Sequence, residues 1–231
     1  MQQPTGIEVV YSNDDILIVD KPAFIPTAPL ADDGDECCLV NLVRRFEPRI
    51  MVPCGRLVRE GGLIHRLDTA TSGLVLFALD QETYDDLVRQ QRQDQIIKQY
   101  RATWGEYTPV RPEGFPEYPY HDVATSCGIV SSYFRSYGER GASVRPTMDR
   151  CAKRCSGVLY TTQMDVEGGH DVICTITRGF RHQIRAHMAW AGYPLVGDVR
   201  YGGVESDTFG LRAVALSFTN PRDGAHLTIT V

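Results

Sequence analysis

Several features are missing from these 231 residues. No run reaches the roughly eighteen apolar residues that a membrane-spanning helix needs, so no bilayer span is expected. The opening, MQQPTGIEVVYSNDD, has neither a basic n-region nor an apolar h-region. No secretory leader is therefore expected, and the cytoplasm is the expected compartment. The seven cysteines are odd in number and contain no CxxC pair. Cys37 and Cys38 are adjacent, and Cys151 and Cys155 lie four apart without histidines at zinc-ligand spacing. Free buried thiols are the expectation, with neither a disulfide framework nor a structural metal. There is no internal repeat and no low-complexity tract. There is also no excess of positive charge: the formal net charge is −5, which by itself speaks against a nucleic-acid partner.

The length allows one large domain or two small ones, with a sizeable core. Charge is spread unevenly along the chain. Residues 1–36 hold eight acids and one base, Lys21. Residues 131–156 hold six bases, Arg135, Arg140, Arg145, Arg150, Lys153 and Arg154, against Glu139 and Asp149. Arg178, Arg181 and Arg185 follow with no acid between them. An acidic total can hide one basic face, and that face is what a phosphate backbone meets.

IEVVYSNDDILIVDKP predicts two short strands around an Asn-Asp-Asp turn, stopped at Pro22. Leu39, Leu42, Val43 and Phe46 share one helical face. Leu74 to Leu79 is an unbroken apolar run and predicts a buried strand. Asp80 is placed to cap a helix running to about Gln93, with Glu82 in its first turn. On the strand that follows, Lys98, Tyr100, Ala102 and Trp104 share a face. Residues 105–157, rich in Gly, Pro, Ser and Arg, predict long loops over a sheet. A hairpin turning at Glu167–Gly169, a helix from 181 stopped by Gly192, and a hairpin turning at Asp223-Gly224 complete the pattern. Without a βαβ rhythm, this predicts an α+β fold on a mixed, largely antiparallel sheet.

Chemistry concentrates in LIHRLDTATSGLVLFALD. A carboxylate at the mouth of an apolar strand is costly to bury unpaired. Asp68 is either a cap for the turn Thr69–Gly73 or a nucleophile or base kept ionised by an arginine. Arg66, two residues away on an extended chain, shares its face, and Arg185 is a second candidate. At the start of the helix near 182, Arg181 and Arg185 lie one turn apart, which suits either a solvated basic face or a phosphate site. His182 and His187 are five apart with no glutamate between, which is not zincin spacing. Tyr100 is either core or, if its face points at Asp68, part of the site.

HRLDTATSGLVLFA, then KQY about thirty residues later, then HQIRAHMAWAGYPLVGD, resembles the RluA family of pseudouridine synthases in motif order and spacing. IEVVYSNDDILIVDKPA resembles that family's first motif and LRAVALSF its last. The resemblance covers nearly the whole chain and is weakest over 105–157. It implies the pseudouridine synthase fold as a single catalytic domain over 1–231. The extra N-terminal S4 domain found in many members is not expected, because the first motif begins at Ile7. It implies that Asp68 is the essential aspartate, Tyr100 the tyrosine beside the uracil, and Arg185 the arginine that pairs with the aspartate. Arg66 matches the residue that helps to flip the target nucleotide. His65, Arg181, His182 and Gln183 are expected to touch substrate, and the pair Lys21-Pro22 is expected to be structural. The chain departs from the family's Thr-Gly-Arg-Thr-His-Gln, which here reads Arg178-Gly179-Phe180-Arg181-His182-Gln183. The family's Leu-His-Ala reads Leu211-Arg212-Ala213.

The implied reaction breaks the N1–C1′ bond of a uridine and rejoins the base through C5. It needs no cofactor and no metal. Asp68 would attack C1′ or take the C2′ proton, Arg185 would keep it ionised, and Tyr100 would offer a flat face with a polar tip. The expected partner is RNA, a structured stem-loop of ribosomal or transfer RNA, with Arg135, Arg145 and Arg150 on its phosphates. No membrane and no obligatory protein partner are expected, and the protein is expected to be a monomer. One alternative is a catalytically silent RNA-binding protein on the same fold, which the presence of Asp68, Tyr100 and Arg185 opposes. Another is a hydrolase with an aspartyl nucleophile, which would want a second acid where Ala70 stands.

Overall fold

The structure, a computed structural model, describes residues 6–29, 37–120 and 128–231, apart from the side chain of Arg140. In chain order the elements are β1 (Glu8–Ser12), β2 (Ile16–Lys21), α1 (Leu39–Val43), β3 (Ser72–Ala78), α2 (Gln81–Arg92) and β4 (Ile97–Thr103). There follow β5 (Gly128–Tyr137), β6 (Ser143–Thr147), β7 (Tyr160–Gly168), β8 (Asp171–Ile176), α3 (Gln183–Trp190), β9 (Leu211–Thr219) and β10 (His226–Thr230). The chain forms two compact units, one of residues 1–98 and 213–231, the other of residues 99–212. It passes from one to the other within β4 and returns within β9.

In the first unit the strands lie in the order β1-β2-β3-β9, with β10 on β9. β1 and β2 form the expected antiparallel hairpin. Asn13 makes its turn, its Oδ1 accepting the N–H groups of Asp15 and Ile16 at 3.0 and 2.7 Å. β2 runs antiparallel to β3, Ile16 opposite Ala78 and Lys21 opposite Gly73. Both strands are buried along nearly their whole length, which is why they read as continuous apolar runs instead of alternating ones. One face packs Ile16, Ile18, Leu74 and Leu76 with Tyr84 and Leu87 of α2 and Leu216 and Phe218 of β9. Asp80 caps α2 as expected, its Oδ1 accepting the Thr83 N–H at 2.9 Å. The helix at Leu39 is shorter than its spacing predicts. All five residues of α1 are buried, so it is not amphipathic, and its first N–H groups donate to the carbonyls of Pro26 and Thr27.

In the second unit the order is β4-β8-β7-β5-β6. β7 and β8 form the expected hairpin, with Gly168 opposite Asp171, so its turn lies at Gly169-His170, slightly beyond the predicted place. The expectation of long loops over 105–157 is wrong for β5 and β6, which pair antiparallel with each other, and β5 also pairs with β7. The strand signal was masked because β5 presents Val130, Ser132 and Phe134 to the interior and so lacks an aliphatic stripe. β6 contains Pro146, tolerated because β6 is the last strand in the order. α3 packs Ala186 and Ala189 against Phe134, Val144 and Tyr201. Its His187 is fully buried between two hydroxyls, Ser132 Oγ on Nε2 at 3.0 Å and Thr162 Oγ1 on Nδ1 at 2.9 Å.

The described cysteines are free thiols, but only Cys38 and Cys174 are buried, whereas Cys37, Cys54 and Cys151 are exposed. No helix among the described residues is long and apolar enough to cross a membrane.

Burial holds the imidazoles of His65 and His187 neutral, lowering each pKa to about 3. The unfolded chain takes up these protons near pH 6.5, so stability is present above that pH and is lost as the pH falls toward 3. Each site contributes a loss of about 1.4 kcal/mol per pH unit in that window. The urea midpoint at pH 5.5 is expected to lie clearly below that at pH 7. A flat profile across this range would show that the two imidazoles are solvated or charged in the fold.

Candidate active site

In the first unit the segment 65–71 leads into β3, and nearly every second residue is tied down from below. Ile64 N–H donates to Leu76 O at 3.0 Å, and the Leu76 N–H donates back to His65 Nε2 at 3.3 Å. Leu67 is buried and clasped by the Thr27 hydroxyl, which donates to its carbonyl at 2.7 Å and accepts its N–H at 3.1 Å. Lys21, wholly buried at the end of β2, donates from Nζ to the carbonyls of Pro22, Ile25 and Thr69 at 2.8, 2.7 and 3.2 Å. The Thr71 N–H donates to Asp68 O at 3.0 Å and closes a turn over Asp68–Thr71. At the end of this turn Gly73 has φ +111°, and a Cβ there would lie 2.1 Å from the carbonyl oxygen of Ala213 on β9. Only glycine allows the two backbones this close.

With Leu67 turned inward, Arg66 and Asp68 point the other way, as their spacing predicts: Arg66 is exposed and Asp68 half-buried. The Arg66 guanidinium pairs with the nearly buried Glu60, Nη1 to Oε1 at 3.4 Å. Glu60 was not foreseen, since it ends a single 3-10 turn, Val58–Glu60, too short for a periodicity to mark it. Lys21 feels the charge of Asp68; burial pulls its pKa down to about 8, while Asp68 and Asp20 push it back up. The Thr71 hydroxyl is buried without a hydrogen-bond partner.

His65, expected to touch substrate, is tied into the fold. It is buried, accepts the Leu76 N–H, and stays neutral because of its burial and the nearby charge of Lys98. It supports the loop from within.

In the second unit Tyr100 lies on β4 with its side chain buried on the same face as Lys98 and Ala102. Arg185, one turn into α3, makes a bidentate ion pair with Asp198, Nε to Oδ2 at 2.7 Å and Nη2 to Oδ1 at 2.8 Å. Its guanidinium lies over the rings of Tyr201 and Phe209, 5.1 and 5.2 Å from their centroids. The side chains of this pair are only 8% and 2% exposed. Breaking one partner of such a pair costs roughly 3–5 kcal/mol, so Arg185 is held in one pose. Asp198 closes the quoted stretch HQIRAHMAWAGYPLVGD, yet it was not weighed, because nothing in spacing alone ties it to Arg185.

The other residues at the start of α3 are mostly engaged in the fold. Gln183 is buried, accepting the Phe180 N–H and donating to Thr161 O and Thr162 Oγ1. His182, in a left-handed conformation, bonds Tyr201 through Nδ1 at 2.9 Å. Burial and the neighbouring Arg185 and Arg181 lower its pKa to about 3. Arg181 is exposed and donates to the carbonyls of Gly141 and Ser143. Phe180, where the family pattern has an arginine, stacks on Phe134 at 5.1 Å with the planes 4° apart and also meets Tyr160.

This chain matches the family described as RNA pseudouridylate synthase over residues 15–190. It is 27% identical over 203 residues to the ribosomal large subunit pseudouridine synthase D of Blochmanniella floridana, covering 87% of this chain and 56% of that protein. The protein of the same name from Pseudomonas aeruginosa is 28% identical over 203 residues, covering 88% of this chain and 56% of the relative. The chain thus spans about half the length of these curated relatives. Its fold is similar to that of human RNA pseudouridylate synthase domain containing 1, with a TM-score of 0.68 and 20% identity over 98% of this chain and 83% of the other. With a family match over well beyond half of its length, the chain belongs to the RNA pseudouridylate synthase family.

Proposed function

We propose that this protein isomerises uridines in RNA to pseudouridine, with Asp68 as the reacting carboxylate and Tyr100 and Arg185 as its catalytic companions. The observation that carries this reading is the anchored turn at Asp68. Lys21, Thr27 and the Leu76 backbone fix the segment from below while the carboxylate side stays half-open. Catalysis at a sugar carbon wants its anion held in position before the substrate arrives. In the reaction the N1–C1′ bond breaks, the uracil turns, a C5–C1′ bond forms, and the proton lost from C5 is balanced by one gained at N1. No redox partner enters this balance.

Asp68 supplies the anionic group at the ribose. Arg185, aligned by Asp198, supplies positive charge. Tyr100 supplies a ring for the uracil and a hydroxyl for proton transfer. Arg66 leaves Glu60 and fills the stack vacated by the flipped nucleotide. The relatives named for the ribosomal large subunit make a stem-loop of ribosomal RNA the first substrate to test. The protein acts on it in the cytoplasm as a monomer.

The Asp68→Asn variant is expected to keep its fold and its RNA affinity and to form no detectable pseudouridine, read as tritium release from 5-tritiated uridine RNA. Measurable turnover would remove Asp68 from the central role. Tyr100→Phe keeps the ring and loses the hydroxyl; it is expected to bind RNA normally and yield little product. A wild-type rate would exclude the hydroxyl from proton transfer.

Extruding a stacked uridine costs a few kcal/mol, and each 1.36 kcal/mol is about tenfold in rate. Arg66→Ala is therefore expected to slow a stacked stem-loop substrate roughly ten- to a thousandfold and an RNA with an unpaired target far less. Equal single-turnover losses on both RNAs would show that Arg66 serves the carboxylate instead of the flipped base.

A further inference from the structure

Arg181 and Arg200 of the second unit both reach Ser143 on the β5–β6 hairpin, whose two strands carry Arg135 and Arg145. Arg135 and Arg145 face each other directly across the two strands. Like charges in that relation destabilise a sheet. Arg181 donates to the carbonyls of Gly141 and Ser143, and Arg200 donates to Ser143 Oγ at 3.1 Å. The Arg145 guanidinium lies 5.4 Å from the centre of the Tyr137 ring. Arg135 Nε is buried without a hydrogen-bond partner. Thus Arg181 and Arg200 spend hydrogen bonds on uncharged oxygens, Arg145 lies over a ring, and among the described residues no carboxylate forms an ion pair with any of the four. Glu113 and Glu139, the acids near this hairpin, are both exposed.

Charges packed this way repel one another, and an anion placed among them relieves that repulsion with charge-assisted hydrogen bonds. A surface of arginines interleaved with Tyr133 and Tyr137 on β5 suits a nucleic-acid backbone, which offers both phosphates and stacking bases. Guanidinium also matches phosphate oxygens better than ammonium does. Of the arginines singled out from sequence, Arg150 is exposed beyond the end of β6, and the Arg140 side chain lies outside the described residues.

We propose that Arg135, Arg145, Arg181 and Arg200 form a phosphate-binding subsite that holds an RNA phosphodiester against the β5–β6 hairpin. The assignment rests on the reading of RNA as substrate, and it places Arg200 and the hairpin in recognition, apart from the chemistry at Asp68.

The test is equilibrium binding of a fluorescein-labelled RNA stem-loop across a salt series, for the wild type, Arg145→Gln, Arg200→Gln and the double variant. Removing one phosphate contact is expected to flatten the plot of log affinity against log salt by about 0.7–0.9, and the double variant by about twice that. Arg101→Gln, which removes an exposed arginine of the same unit already paired with Glu167, is expected to keep the wild-type slope. Arg145→Lys keeps the charge and is expected to keep the slope, which guards against a fold defect in Arg145→Gln.

A wild-type slope in the double variant, or the same flattening in Arg101→Gln, would overturn the subsite. Competition by tripolyphosphate or polyglutamate as strong as by unlabelled RNA would assign the cluster to free phosphate or to an acidic protein, and so would also overturn it. A wild-type protein that binds RNA through these arginines but makes no pseudouridine would instead refute the catalytic reading and leave the subsite standing.

Discussion

A buried ammonium group must satisfy its three protons, and Lys21 does so with the carbonyls of Pro22, Ile25 and Thr69. Everything about the segment bearing Asp68 follows from that arrangement. Lys21 ends β2 directly opposite Gly73 of β3, so the charge lies where the two strands give way to the turn. Its bond to Thr69 crosses from one strand end to the Asp68 turn, and the charge of Asp68 is felt at the ammonium. Losing it would leave three carbonyls without their donor. Thr27 repeats the device one layer along, satisfying both backbone groups of Leu67 with one hydroxyl. The small turn Thr69–Gly73 needs glycine at its end because the backbone of Ala213 leaves no room for a side chain.

The second unit solves a similar problem with opposite means. Arg185 is a buried cation whose planar fork is matched by the two oxygens of Asp198 and flanked by two rings. A lysine there could not make the two parallel bonds. Tyr201 ties the same neighbourhood together. It accepts the Val144 N–H at 2.9 Å, bonds His182 and supports Arg185. The start of α3 therefore serves the interior more than the surface, which is why two of the polar residues there, His182 and Gln183, are spent on internal hydrogen bonds.

The exchange of Arg for Phe at position 180 and the arginine at 181 have one physical reading. Phe180 completes an aromatic stack with Phe134 and Tyr160 beneath β5, a packing role that an arginine could not fill. The charge reappears at Arg181, whose side chain reaches the β5–β6 hairpin. The interior gains apolar contact and the hairpin gains a fourth guanidinium.

The order of elements in the first unit, the cap at Asp80, the hairpin at Asn13 and the shared face of Arg66 and Asp68 were legible because each rests on local chemistry. Backbone preference, side-chain alternation and a capping carboxylate act between residues close in the chain. β5 and β6 were not legible, since their interior side is lined by serine and proline as well as apolar groups, and the pairing that stabilises them is long-range. The partners of the site residues were likewise decided by tertiary structure. Nothing in the sequence joins Thr27 to Leu67, Glu60 to Arg66, or Asp198 to Arg185, and nothing marks the internal hydrogen bonds of His65 and Gln183. The motifs named the chemical groups at hand, because chemistry is written in residue type. Which of them face outward, and which are consumed holding the others in place, was decided by satisfying every buried donor and acceptor at once, and that depends on where the folded backbone brings distant residues together.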